Sequence, residues 1–183
     1  MGLEDELDSR FSTVSRTPSY VEAERLVGEA YSQLAEVAHI LAKRGVPTET
    51  IETWPERVFD SPWKRVFGTY RPTKAADGWE LFEGFSVDTN GRPWRREWTH
   101  HPWESENYPS SFDQQLVASS EWVKSLSYEF ECSFSLGNGK VEKCYIEDGQ
   151  AYLVLVPNDP TGKGPFKDVL LRLTATLLRR AAK

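Results

Sequence analysis

The densest gathering of chemically able side chains is the run Trp98-Thr99-His100-His101-Pro102-Trp103-Glu104. It holds two of the chain's three histidines, two tryptophans and a carboxylate. Histidine moves protons or binds metal near neutral pH, and loops that follow strands often carry binding groups. Adjacent histidines on extended chain point to opposite sides, so His100 and His101 do not readily converge on one ligand. The bland reading is a surface loop pinned into the core by Trp98 and Trp103. The functional reading is a ligand or partner site, with Trp94, Trp98, His100, His101, Trp103 and Glu104 as its candidate residues and none of them catalytic.

Other constellations are weaker. Cys132 and Cys144 fall in one hairpin, and a three-residue loop Gly137–Gly139 would set them directly opposite each other. Sulfurs on opposite residues can meet, but in a reducing compartment two buried thiols are expected. No second close pair of soft ligands accompanies them, so no metal is expected. The run Pro157-Asn158-Asp159-Pro160-Thr161-Gly162-Lys163-Gly164 lies between a strand and a helix, where a phosphate loop would sit. That loop needs glycine first and Ser or Thr after the lysine; here Pro157 and Gly164 occupy those places. No G-x-S-x-G elbow occurs. Glu80, Glu83, Glu97, Glu104 and Glu106 could converge at one sheet end as acid–base carboxylates, with solvated charge as the simpler account. His39 belongs at the edge of a helical stripe. No cofactor is expected.

The elements that must position these residues follow from periodicity. A long helix is expected from Pro18 to about Arg44, capped by Thr17 and stopped by Gly45 and Pro47. Its stripe is Tyr20, Ala23, Val27, Ala30, Leu34, Val37 and Leu41, widened by Leu26, Tyr31, Ala38 and Ile40. A stripe this wide suits burial on a sheet, with a dimer seam as the second use. After a connector over 46–63, strands are expected at Arg65–Arg71, Trp79–Asp88 and Pro93–Trp98. The Asn90-Gly91 turn joins the last two, pairing Val87 with Trp94 and Phe85 with Arg96. Glu83 then falls opposite Trp98.

A second helix is expected from Phe112 to about Ser125, on the capping-box pattern of Ser111 and Gln114. Alternation marks Ser127–Leu136 as a half-buried strand. Lys140–Glu147 and Gln150–Val156 follow, the last covered on both faces. A final helix begins near Phe166, with Leu170, Leu173 and Leu177 on its stripe and Val169, Leu171 and Leu178 widening it. The fold class is α+β, a mainly antiparallel twisted sheet of about six strands in the order α-βββ-α-βββ-α, packed against long N- and C-terminal helices. Residues 1–16 read as a flexible acidic N-terminus and 17–183 as one domain. No motif points to a family; the element order alone is similar to that of small acidic secretion-chaperone-like folds, and likeness at the level of fold does not establish function.

Composition narrows the function classes. The chain has 183 residues and a formal net charge of −6, which argues against a general nucleic-acid binder. No apolar stretch approaches the ~20 residues of a membrane span. The acidic N-terminus has no apolar core, so no signal peptide is expected, and the cytoplasm is the expected location. Arg172, Arg179, Arg180 and Lys183 sit where a helix C-terminus favours cations, with an anionic partner as their other use. The 7 Trp, 7 Tyr and 9 Phe suit either a core or a binding surface.

The leading expectation is a non-enzymatic protein-interaction domain, adaptor- or chaperone-like, binding a protein or a second copy. Trp94, Trp98 and Trp103 would anchor the partner, with Arg95, Arg96 and Glu97 as the rim. The alternative is a small-molecule-binding protein or minor hydrolase. Its pocket would be lined by Trp79, Phe82, Phe85 and Trp98, with His100 or His101 and Glu104 at the mouth. A third is a structural subunit that binds its own copies or a larger assembly, a reading favoured if the helix stripe Leu26–Leu41 stays exposed in the monomer.

Overall fold

The computed structural model describes residues 18–53, 73–99, 111–127, 134–159 and 162–182. Helix α1 spans Tyr20–Lys43 and is capped by Ser19, not Thr17. Ser19 N donates to Glu22 Oε2 at 2.8 Å and Glu22 N to Ser19 Oγ at 3.4 Å, a reciprocal capping box. At the other end Gly45 N donates to Ala42 O and Val46 N to Leu41 O, the paired bonds of a Schellman stop. Ala23, Leu26, Val27, Ala30, Leu34, Val37, Ala38 and Leu41 are buried, whereas Tyr20 is 54% exposed. The stripe packs within the chain, against the two other helices and strand β8, so it is not left open for a second copy.

The rest is antiparallel. Strands β1 (Glu49–Thr53), β2 (Thr73–Phe82), β3 (Phe85–Asp88), β4 (Pro93–Thr99) and β5 (Ser111–Leu116) form a five-stranded sheet in chain order. It curls until Glu52 N donates to Gln114 Oε1 at 2.9 Å, joining its first and last strands. Helix α2 (Ser119–Ser127) follows. Strands β6 (Phe134–Leu136), β7 (Gly139–Glu147), β8 (Gln150–Val156) and β9 (Gly164–Pro165) form a second sheet, and α3 (Phe166–Ala181) closes the chain. The α+β class and antiparallel pairing hold. The single sheet of about six strands is corrected to nine strands in two sheets among the described residues. The order α-βββ-α-βββ-α, and with it the likeness to secretion chaperones, no longer fits.

The connector over 46–63 contains β1. The span Trp79–Asp88 is two strands, because Glu83-Gly84 turns the chain and pairs Phe82 with Phe85. Glu83 therefore does not face Trp98. The next hairpin is shifted by one residue: Val87 pairs with Pro93, Ser86 with Trp94 and Phe85 with Arg95. Asp88 N donates to Arg92 O and Gly91 N to Asp88 O, so three residues lie in the loop rather than two. Gly91 takes φ 80° at its end, as a three-residue hairpin loop requires.

The helix expected from Phe112 begins only at Ser119. Residues Ser111–Leu116 instead pair along the whole length of β4. Ladder pairing with a distant strand outweighs a local capping pattern. The α2 start is marked by Ala118 O, which accepts from Glu121 N and Trp122 N. Of the strand expected over Ser127–Leu136, Ser127 ends α2 and Phe134–Leu136 is β6. The strand expected at Arg65–Arg71 lies outside the described residues.

Leu136 pairs with Gly139, so the loop has two residues and the three-residue register that set Cys132 opposite Cys144 does not hold. Cys132 lies outside the described residues; the Cys144 side chain is buried. Strand β8 buries Leu153 and Leu155 but leaves Tyr152, Val154 and Val156 half-buried, so it is covered on one face rather than two. In α3, Leu171 is 55% exposed and leaves the expected stripe.

One contiguous core draws on every layer: Leu34 and Leu41 from α1, Phe85 and Val87 from the first sheet, Trp122 and Leu126 from α2, Val141 and Leu155 from the second sheet, and Val169 and Leu170 from α3. The sheets meet turn to turn. Asn138 N donates to Glu83 O at 3.0 Å, and a Cβ on Gly137, at φ 57°, would lie 2.2 Å from the Gly84 carbonyl. Only glycine permits that approach. No helix among the described residues is long and apolar enough to cross a membrane.

Candidate functional site

Of the residues expected to bind, Trp94 is only 7% exposed. Its indole N–H donates to Asp88 Oδ2 at 3.2 Å. Trp94 therefore braces a turn and is no surface anchor. Trp98 pairs through its backbone with Phe112, and its side chain is outside the described residues, as are His100, His101, Trp103 and Glu104 altogether. Two of the expected rim residues are engaged inside the chain: Arg95 bridges Glu121 on α2 at 2.7 Å and Arg96 bridges Glu80 at 3.3 Å; the Glu97 side chain lies outside the described residues.

Of the aromatics expected as pocket walls, Trp79, Phe82 and Phe85 are buried in the core, and the Trp98 side chain lies outside the described residues. Trp79 donates its indole N–H to Val46 O at 3.1 Å, and Phe82 stacks on Phe85 at 4.9 Å. Period-two alternation puts Trp79 and Phe85 on one face and Phe82 on the other; the irregularity between Glu80 and Phe82 and the turn at Glu83-Gly84 pair Phe82 with Phe85.

Asp88 shows how a carboxylate is held inside. Its side chain is fully buried. Oδ1 accepts from Asn90 N at 2.8 Å and Arg92 N at 2.9 Å, and Oδ2 from Arg92 Nε at 2.7 Å and Trp94 Nε1. Burial pushes its pKa up, and these bonds outweigh burial, so the group stays below the ordinary carboxylate value. All its acceptor capacity is taken by the turn, which makes it structural. Tyr31 is a second held group: its hydroxyl donates to Val117 O and its ring meets Trp122 edge-on at 5.4 Å. Burial first, and the Glu121 charge second, push its pKa up to about 12.

A concave site lies elsewhere, a cleft of about 430 Å³ between the end of β2 with its turn, the loop after β8, and the second half of α3. Arg172, Thr176 and Arg180 follow one another at four-residue spacing and share one helix face. They span about 12 Å along the axis. Leu81, Phe82, Leu173 and Leu177 supply the apolar wall, and Glu80, Glu83 and Asp159 face the arginines.

Glu80 Oε1 accepts from Gly84 N at 2.9 Å as well as from Arg96, which stiffens the β2–β3 turn. Arg172 Nη2 donates to Lys163 O at 2.8 Å and ties the helix to the loop. Thr176 Oγ1 donates to Arg172 O at 2.9 Å. The cleft can therefore hold a ligand that offers apolar surface with charge of both signs. No Ser, Cys or His lines it among the described residues, and no cluster of three or more His, Cys, Asp or Glu able to hold a metal occurs among them.

Sequence reading marked Arg172 and Arg180 as helix-end bases, and an anionic partner was their second use. The loop Pro157–Gly164 was weighed only as a phosphate loop. What was missed is that a turn from the first sheet stands across from both. Comparison with known proteins adds no identity: no family model, curated protein or solved structure matches the chain.

Proposed function

We propose that the protein is a non-enzymatic protein-interaction domain, adaptor-like, that holds a segment of its partner in the cleft beside α3. The observation that carries this reading is the cleft's composition. Leu173, Leu177 and Phe82 line it together with Arg172, Arg180, the part-buried Glu80 and the exposed Glu83. Interfaces combine such an apolar centre with a charged rim, and arginine is enriched among the residues that dominate binding energy. The cleft stands where a turn of the first sheet, the loop after β8 and α3 meet. The reading moves the partner site away from Trp94.

A small-molecule ligand is the second reading, favoured by a volume of about 430 Å³, within the usual range for such sites.

A photo-crosslinking residue placed at Glu83, compared with one at the exposed Val21, tests the proposal. The cleft position is expected to yield one dominant protein adduct, absent at Val21 and lost in the double variant Arg172→Glu, Arg180→Glu. Equal adducts at both positions would sink it. So would native mass spectrometry showing a small molecule retained by the wild type and released by the double variant, which would establish the second reading instead.

A further inference from the structure

Strand β8 has seven residues and β9 only two. β9 pairs Gly164 with Leu155 and Pro165 with Val154, and the chain then leaves the sheet as α3. Beyond that point the β8 edge, from Leu153 back to Gln150, has no strand beside it among the described residues.

The hairpin shows which backbone groups face that edge. Asp148 and Gly149 form its two-residue turn with φ 50° and 73°, the type I′ geometry. Glu147 and Gln150 close the turn and pair. In an antiparallel ladder bonded and non-bonded pairs alternate, so Gln150 and Tyr152 bond to β7 while Ala151 and Leu153 turn their N–H and C=O groups outward. The same count leaves Val154 and Pro165 a non-bonded pair, where proline's missing N–H is not needed. Among the described residues no strand pairs with β8 on this side at Ala151 or Leu153.

A groove of about 340 Å³ runs along this open edge. Leu26 and Ala30 of α1, Leu153, and Phe166 of α3 give it apolar walls. Gln33 lines it too, and its Oε1 is buried without a hydrogen-bond partner. The groove shares no residue with the cleft beside the second half of α3.

We infer that this groove binds an extended segment of a partner protein, which adds to the sheet as a strand along Ala151–Leu153 and continues the row that β9 begins. Two outward N–H and two outward C=O groups, repeating about every 6.8 Å, are complementary in partial charge to another extended backbone. A helix has already used its own backbone groups. The apolar walls take alternate side chains of the added strand, the division of labour that strand addition uses elsewhere. The Gln33 oxygen supplies an acceptor on the opposite wall.

The test is amide hydrogen exchange by NMR on the full chain, with the acetylated and amidated peptide Lys-Val-Thr-Val-Thr-Val-Lys as probe. With peptide at about ten times its Kd, exchange at Ala151 and Leu153 should slow about tenfold, while Tyr152, already bonded to β7, stays unchanged. Ala151→Pro removes one outward donor and leaves the β7 ladder intact, as edge prolines do; it should weaken binding about tenfold. Should that variant fail to fold, the wild type is titrated with the same peptide N-methylated at alternate residues, which should not bind. Unchanged exchange at millimolar peptide, or equal binding of the N-methylated peptide, overturns the inference. Protection already present in the free protein at all dilutions assigns the groove to the chain itself. Protection that grows with protein concentration alone assigns it to a second copy. Either also overturns the inference.

Discussion

Replacing Asp88 should cost more stability than any other single change of a polar side chain among the described residues. The carboxylate accepts four hydrogen bonds from inside one hairpin. In Asp88→Ala the Trp94 indole N–H, in a side chain only 7% exposed, loses its acceptor, at about 1–3 kcal/mol. The Asn90 and Arg92 amides lose theirs, at about 1 kcal/mol each. The Arg92 guanidinium is half exposed, so that ion pair adds at most about 1 kcal/mol. The total is about 4 kcal/mol, or a fall in Tm of about 8–16 °C for a domain of this size. Asp88→Asn keeps one acceptor oxygen and should lose about half as much.

The carboxyl is held below its ordinary value, which fixes the sign with pH. A depressed folded-state pKa stabilises fully above the unfolded value, 3.8, and that stability is lost as pH falls through the folded one. Urea unfolding followed by tryptophan fluorescence should show a constant gap between wild type and Asp88→Asn above about pH 5, narrowing below about pH 4. A cost under about 1 kcal/mol for Asp88→Ala, in the range of an exposed pair, would refute the reasoning. So would a gap that persists undiminished into strong acid.

Two further outcomes follow from the core. Tyr31→Phe should cost about 1 kcal/mol by removing the bond to Val117 O. Because its pKa is raised from 10.0 to about 12, that group's stabilisation is complete below pH 10 and fades as pH climbs toward 12. Ultraviolet titration should show one late tyrosine, missing in the variant. Gly137→Ala should cost about 3 kcal/mol, from a left-handed residue at φ 57° and a methyl driven against the Gly84 carbonyl. Thermal unfolding measures it, and Gly28→Ala, where an added Cβ meets nothing, should be neutral or mildly stabilising as a helix-interior control.

Helices α1 and α3 and strand β8 were legible because their signals are local. Apolar side chains at helical spacing with polar stops, or a short β-branched run between glycines, mean the same thing in any surroundings. The Ser19–Glu22 box displaced the expected Thr17 cap by two residues, within what local chemistry can specify.

What escaped was set by distant chain. Ser111–Leu116 carries a helix-start pattern but became β5, because β4 supplies a ladder along its whole length. The β3–β4 register moved by one because the Asp88 side chain captures two turn amides and lengthens the loop, which reversed the expected facing of Trp94. The division into two sheets turns on Gly84 and Gly137 meeting backbone to backbone, 53 residues apart in sequence. The cleft has the same origin. Arg172, Thr176 and Arg180 share a face by helical geometry alone, whereas Glu80 and Glu83 come to oppose them only after that joint has formed. Within α1 and α3 helical spacing fixes which side chains share a face; tertiary packing decided the strand boundaries, the register and which face meets solvent, because pairing and burial depend on the elements that arrive alongside.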